Sequence, residues 1–354
     1  MYLLAEPWLH NLDPFAIEIP WFPGGGIRWY GLSYLAGFVI GFLLIKRVLT
    51  VGVSPLKPAQ AADLVVTIAI GIVLGGRLGY ILFYRPELFI DFTPDAFPWW
   101  GALKINEGGM ASHGGMLGGI GACAFFAWRH EVRFGHLMDL GAFGAPLGLL
   151  MGRVANFVNG ELFGRTCEPD SPLYPLAVRF PQEIYDDWDG EQWQGDRVGQ
   201  LIELSHEQGR HFQDTRAYID YAITQAQAGD PVWTGFMHEQ VTARYPSQLF
   251  AGLTEGVVVF LVLLFIYRKP VKAGVVAGWF SIVYALMRVL NELFRRPDEQ
   301  FITDGQLPEI TRGQWLSIGL FVMGVVIVVL ASKREGDKLG GWMKSDSLAT
   351  DEHR

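Results

Sequence analysis

Apolar residues gather in seven runs separated by short polar stretches, at about 29–49, 62–84, 114–128, 137–157, 249–267, 274–294 and 315–331. A helix needs roughly 20 apolar residues to cross the hydrocarbon core of a bilayer, and most of the runs reach that length. The third is short, so it either extends back toward Met110 or lies tilted in a bundle. Gly71, Gly75 and Gly79 recur at i, i+4 and i+8 in the second run, and Gly144, Gly148 and Gly152 do the same in the fourth. Such stripes let a neighbouring helix approach closely. The expected fold is an all-α polytopic membrane protein, a bundle of about seven transmembrane helices with one small extramembrane domain. Its expected parts are an irregular interfacial arm (1–28), spans one to four (29–164), a polar insertion (165–248), spans five to seven (249–332) and a polar tail (333–354).

Composition agrees with lipid as the solvent. Half of the 354 residues are hydrophobic and only 18% are charged, too apolar for an ordinary soluble domain of this length. The formal net charge of −8 is unevenly placed. Residues 165–246 hold six basic and fourteen acidic side chains, enough to account for all of it. An acidic balance excludes a nucleic-acid partner. The two cysteines, Cys123 in a span and Cys167 in a loop, build neither a disulfide framework nor a metal cluster. The histidines of the insertion, His206, His211 and His238, lack metal-site spacing. No metal and no cofactor are implied. The N-terminus carries no basic region ahead of an apolar core, so no cleavable signal is expected.

Basic residues set the orientation. Lys46, Arg47 and Lys57, then Arg129 and Arg133, then Arg268, Lys269 and Lys272, then Lys333 and Arg334 fall on alternate connections. The positive-inside rule places those four sites in the cytoplasm. The N-terminus and the acidic insertion are then outside, and the C-terminus is cytoplasmic.

Polar side chains concentrate where spans approach the outer side. Arg153, Asn156 and Gly160 share one helical face and are followed by Asn159, Glu161 and Gly164. Arg77, Tyr80 and Tyr84 close the second span, and His113 opens the third. Tyr284, Arg288, Glu292 and Arg295 close the sixth, and Tyr30 opens the first. An arginine inside a span is costly without a partner or a task. Arginines drawn from several helices make an anion site, with Glu161 and Glu292 each holding one of them. Each group also has a plainer reading. The tyrosines suit an aromatic belt. Arg77 could pair with Asp63 or Glu107, Arg153 could snorkel, and His113 could pack or cap a helix.

Three segments carry a resemblance to a known family. GGRLGYILFY (75–84), SHGG (112–115) and GRVANFVNGELFGR (152–165) resemble prolipoprotein diacylglyceryl transferases. YPSQLF (245–250) and RVLNELFRRPDEQF (288–301) add to the match, which runs through nearly every span in order. The chain departs from the family at Arg28, where a histidine often precedes Trp-Tyr-Gly, and in its long acidic insertion. The resemblance implies transfer of diacylglyceryl from phosphatidylglycerol to the lipobox cysteine of a prolipoprotein signal peptide, by a monomer in the bacterial inner membrane with its site toward the periplasm. It implies that Arg153 and Arg288 act on the phosphate and that His113 is a base or an orienting donor. Asn156 and Gly164 would shape the headgroup pocket. Tyr30, Arg77, Tyr84, Asn159, Gly160, Glu161, Tyr284, Glu292 and Arg295 complete the expected substrate site.

The orientation makes a direct prediction. A cysteine engineered into the acidic insertion is expected to react with a membrane-impermeant maleimide in intact cells. Protection at that position contradicts the assigned sidedness.

Overall fold

In the computed structural model, described for residues 6–19, 21, 26–92, 98–104, 108–185, 197–296 and 311–344, each apolar run is a helix. They are α1 (Trp29–Val51), α2 (Gln60–Phe83), α3 (Ser112–His130) and α4 (Phe134–Val158). Among the described residues the insertion adds α5 (Arg197–Glu207), α6 (Thr215–Gln227) and α7 (Pro231–Gln240). Then come α8 (Ser247–Ile266), α9 (Val275–Asn291) and α10 (Arg312–Lys333). Among the described residues, five helices are long and apolar enough to cross a membrane: α1, α2, α4, α8 and α10. Helix α9 is apolar but shorter. Large apolar side chains such as Leu35, Leu74 and Leu330 stand exposed on α1, α2 and α10, as lipid-facing surfaces require.

The chain forms two compact units. The first gathers Met1–Leu35, Leu149–Gly256 and Met287–Ser317. Its core lies among α5, α6 and α7, where Leu201, Ile219, Trp233 and Met237 are fully buried. The caps of α6 and α7 are written in the sequence. Asp214 accepts from the Ala217 N–H at 2.8 Å, and Asp230, followed by Pro231, accepts from Val232 and Trp233. An acidic N-cap satisfies helix N–H groups that have no internal partner, and proline suits the first helical position.

The N-terminal arm is more regular than its composition suggests, which amends the all-α expectation. β1 (Trp8–Leu9) pairs parallel with β4 (Val178–Arg179), and β4 pairs antiparallel with β5 (Ala243–Arg244). β2 (Phe15–Glu18) and β3 (Gly26–Arg28) form a hairpin. Strands this short leave no alternation to read. Beside β1, His10 is fully buried, and its Nε2–H donates to the Phe157 carbonyl at 2.8 Å. Its ring packs on Phe157 and Phe180.

The second unit gathers Ala36–Gly148, Val257–Leu286 and Ile318–Arg354. Here the glycine stripe of α2 meets α3 backbone to backbone. A Cβ on Gly75 would lie 2.7 Å from the Gly118 Cα, and one on Gly79 would lie 2.9 Å from the Gly114 Cα. The α4 stripe is half used: Gly148 touches Gly37 and Gly144 touches Gly41, while a Cβ on Gly152 would meet nothing within 4 Å. Asp139 of α4, buried, accepts from Gly274 N–H at 2.7 Å and Ala277 N–H at 2.9 Å, so it caps α9 from another helix.

The segment read as a polar tail instead folds back. β7 (Lys338–Leu339) pairs with β6 (Val271–Lys272), and Trp342 Nε1–H donates to Leu264 O at 2.7 Å. Residues 345–354 lie outside the described residues, as do 1–5 and 22–25 of the arm and 186–196 of the insertion.

Burial lowers the His10 pKa to about 4, because a charged imidazole would lose its water, and the Phe157 bond only partly offsets this. The unfolded chain, with an ordinary histidine pKa near ~6.5, therefore binds the proton first. Stability from this site is complete above roughly pH 6.5 and falls toward pH 4, with a slope of at most ~1.4 kcal/mol per pH unit. Melting temperatures of His10→Gln in detergent are expected to depend less on pH across that window. Equal slopes for the two proteins would contradict the assignment.

Candidate active site

The site in the first unit begins at the end of α4. There the helix stops in a reciprocal C-cap: Glu161 N–H reaches back to Asn156 O at 3.0 Å, and Gly160 N–H to Phe157 O at 3.0 Å. Gly160 takes φ +67°, the left-handed conformation that this cap needs. The turn leaves Asn156 buried beneath Glu161, whose Oε1 accepts from Asn156 Nδ2 at 2.8 Å and, more weakly, from Asn159 Nδ2 at 3.5 Å. Glu161 therefore orients the two carboxamides rather than an arginine, and Arg153 pairs with Glu255 instead. Leu162 follows with φ +57°, a costly conformation for a branched residue.

Gly164 is where three chain segments cross. Its N–H donates to Tyr245 O at 2.9 Å, and Arg165 N–H donates to Phe294 O at 2.9 Å. A Cβ there would stand 2.5 Å from Phe294 O and 2.6 Å from Tyr245 O, so only glycine fits. Arg165 ties the same crossing to Arg295 O, with Nε–H at 2.7 Å. Arg244 adds an ion pair with buried Glu183 at 2.7 Å and a bond to Gly164 O at 3.3 Å.

Helix α8 then supplies what the sequence reading missed. Residues Gly252–Val258 form a π-helical segment inside it, a distortion that recurs at functional sites. Within that segment Glu255 is fully buried. Its Oε2 accepts from Arg153 Nη2 at 3.0 Å and its Oε1 from Asn291 Nδ2 at 3.1 Å. Asn291 also donates to Thr254 Oγ1 at 2.6 Å. One turn away on α9, Arg288 Nη1 donates to Glu292 Oε2 at 2.6 Å, with both side chains mostly buried. Gly313, at the start of α10, lies against this pair: a Cβ there would be 3.1 Å from both Arg288 Nη2 and Glu292 Oε2.

Arg153, Arg288 and Arg295 line one recess together with Glu255, Asn291, Leu162, Ser247, Gln248 and Ala251. The recess is small and open to solvent on one side. Two buried carboxylates hold two of its three guanidinium groups by one edge. An uncompensated buried charge is costly, and pairing removes most of that cost. Guanidinium retains further N–H donors beyond those used, so a held arginine still presents a fork to a phosphate or carboxylate.

The other expected site residues are not among those lining the recess. Tyr30, in the first unit, receives a hydrogen bond from Tyr34 OH at 3.3 Å. Tyr84, His113 and Tyr284 belong to the second unit. His113 is exposed in the first turn of α3, Tyr84 is exposed at the end of α2 and stacks on Tyr80, and Tyr284 stacks on Phe280. Arg77 departs from expectation. It is buried and donates to four backbone carbonyls: Gly101 and Gly108 at 2.7 Å, Ala102 at 2.9 Å and Gly109 at 3.1 Å. It braces the loop before α3, and Asp63 is not its partner; Glu107 lies outside the described residues. Glu255 did leave a trace in the sequence, as the single carboxylate within the apolar run 249–267. A charge at that depth marks a functional position.

The chain matches known proteins over nearly its whole length. The family model for prolipoprotein diacylglyceryl transferase matches residues 14–330, which include every residue lining the recess. A phosphatidylglycerol–prolipoprotein diacylglyceryl transferase of Bdellovibrio bacteriovorus is 40% identical over 360 residues, covering 96% of this chain and 98% of that protein. Proteins of the same name from Burkholderia thailandensis and Burkholderia mallei are each 34% identical over 334 residues, covering 92% of this chain and 97% of theirs. Agreement of this extent means that the chain belongs to the prolipoprotein diacylglyceryl transferase family.

Proposed function

We propose that this chain transfers the diacylglyceryl group of phosphatidylglycerol to the lipobox cysteine thiol of a prolipoprotein, the first step of lipoprotein maturation. A carbon–sulfur bond forms at the glycerol carbon as its bond to phosphate oxygen breaks. The products are a thioether and glycerol 1-phosphate, and the thiol gives up its proton. The recess carries this reading, since three arginines in a largely buried pocket suit the phosphate of a lipid headgroup.

The chemistry needs a thiolate and a stabilised leaving group. An ordinary thiol has a pKa of ~8.5 and is only a few per cent ionised near neutrality. Arg153 and Arg288 bind the phosphate and stabilise the charge that grows on it as the carbon–oxygen bond breaks. Such stabilisation is strongest where water is excluded and the donors are already fixed. Glu255 and Glu292 do the fixing. Asn156, Asn159 and Gly160 shape the turn beside the recess, and Gly164 keeps its floor closed. His113 serves the thiol, as the base that takes its proton or as the donor that orients it. Tyr30, Tyr84 and Tyr284 line the lipid entrance, and Arg295 adds to the phosphate pocket. The nucleophilic sulfur belongs to the substrate, so Cys123 and Cys167 have no part.

The enzyme works as a monomer in the bacterial inner membrane. Helices α3 and α9 join the five longer ones as a seven-span bundle. The N-terminus and the α5–α7 head face the periplasm, the recess opens on that side, and the C-terminus is cytoplasmic. Alternate basic loops support this orientation.

Transfer from labelled phosphatidylglycerol to a lipobox peptide is expected to fall roughly 100- to 1000-fold in Arg153→Ala or Arg288→Ala, the usual effect of losing one transition-state donor. Either variant purified in normal yield with full transfer would refute the role.

A further inference from the structure

Gln248 is a buried side chain left half satisfied at the recess. It is 1% exposed, on the first turn of α8, and it lines the recess with the three arginines. Its Nε2–H donates to Glu161 O at 2.7 Å, beside a matching bond from Ser247 Oγ–H to Leu162 O at 3.0 Å. Those bonds fix which way the amide points, because the flipped amide would set its oxygen against a carbonyl oxygen. The remaining atom, Oε1, is buried and has no hydrogen-bond partner among the described residues. A buried acceptor without a partner is costly, and a native site that keeps one has a use for it.

We infer that Gln248 Oε1 accepts a hydrogen bond from a free hydroxyl of the lipid headgroup and so selects a polyol phosphodiester. This rests on the transferase reading above. The recess asks for two things at once. Its arginines want the phosphate and oppose a cationic headgroup, while the amide oxygen wants a hydrogen-bond donor. A hydroxyl-bearing headgroup on a phosphodiester meets both. A site built to bond a hydroxyl discriminates against the analogue that lacks it, because its own polar group is then left unpaired.

The test compares kcat/KM for phosphatidylglycerol with that for phosphatidylpropanol, which has the same three headgroup carbons and no free hydroxyl, in mixed micelles with a lipobox peptide. The wild-type protein is expected to prefer phosphatidylglycerol by ~10- to 100-fold. Gln248→Met is expected to lose that preference, its activity falling far more with phosphatidylglycerol than with phosphatidylpropanol. Equal losses on both lipids would assign Gln248 a merely structural role and overturn the inference. So would a wild-type protein indifferent to the hydroxyls, a result that needs no variant to fold. Transfer from neither lipid by the wild-type protein would instead refute the transferase reading.

Discussion

Burying an arginine while leaving part of it open is the constraint on which this structure turns. A guanidinium taken out of water needs an opposite charge, yet a carboxylate that covers it completely leaves nothing for the ligand. The compromise is an edge-on pair. Glu255 takes one nitrogen of Arg153 and Glu292 takes one of Arg288. Removing either carboxylate would leave its arginine buried and unpaired, a loss of about 3–5 kcal/mol in comparable pairs. The arginines are thus held in place by the protein itself, as the proposed electrostatic role asks.

Much of the first unit serves that placement. The cap at Gly160 ends α4 just beyond Arg153, and Glu161 ties Asn156 and Asn159 into the turn. His10 grips the Phe157 carbonyl from the N-terminal arm, whose Leu9 belongs to the core of the α5–α7 head. At Gly164 the absent side chain allows three segments of backbone to cross. The π-helical segment of α8 sets Glu255 between Arg153 and Asn291. Leu162, with its left-handed backbone, and the π-helical segment that carries Glu255 both border the recess, where function can set geometry.

What the sequence made legible follows from the length scale of each signal. Runs of apolar residues and glycines at every fourth position are local patterns, and they give the apolar helices and the close approach of a neighbour to α2. Arg153 and Arg288 were visible because a charge in a span is conspicuous. Their partners were not equally visible. Glu292 lies four residues from Arg288 and was found. Glu255 lies 102 residues from Arg153, and one carboxylate vanishes in the average of a strongly apolar window. Glu161 was assigned to an arginine by proximity along the chain, yet the cap turns it toward Asn156. Arg77 was read as a ligand or half of an ion pair, because backbone carbonyls leave no mark in side-chain pattern. Two-residue strands, and the folding back of the segment after α10, depend on pairings too short for periodicity to reveal.

The most direct measurement of the central claim is a double-mutant cycle on transfer from phosphatidylglycerol, using Glu255→Gln, Arg153→Gln and the pair together. If Glu255 acts by holding Arg153, its loss alone costs roughly 10- to 100-fold in kcat/KM. In the background lacking Arg153 the same change then costs almost nothing further. Losses that simply multiply would mean that the two side chains act independently, and the account of carboxylate-held arginines would be wrong.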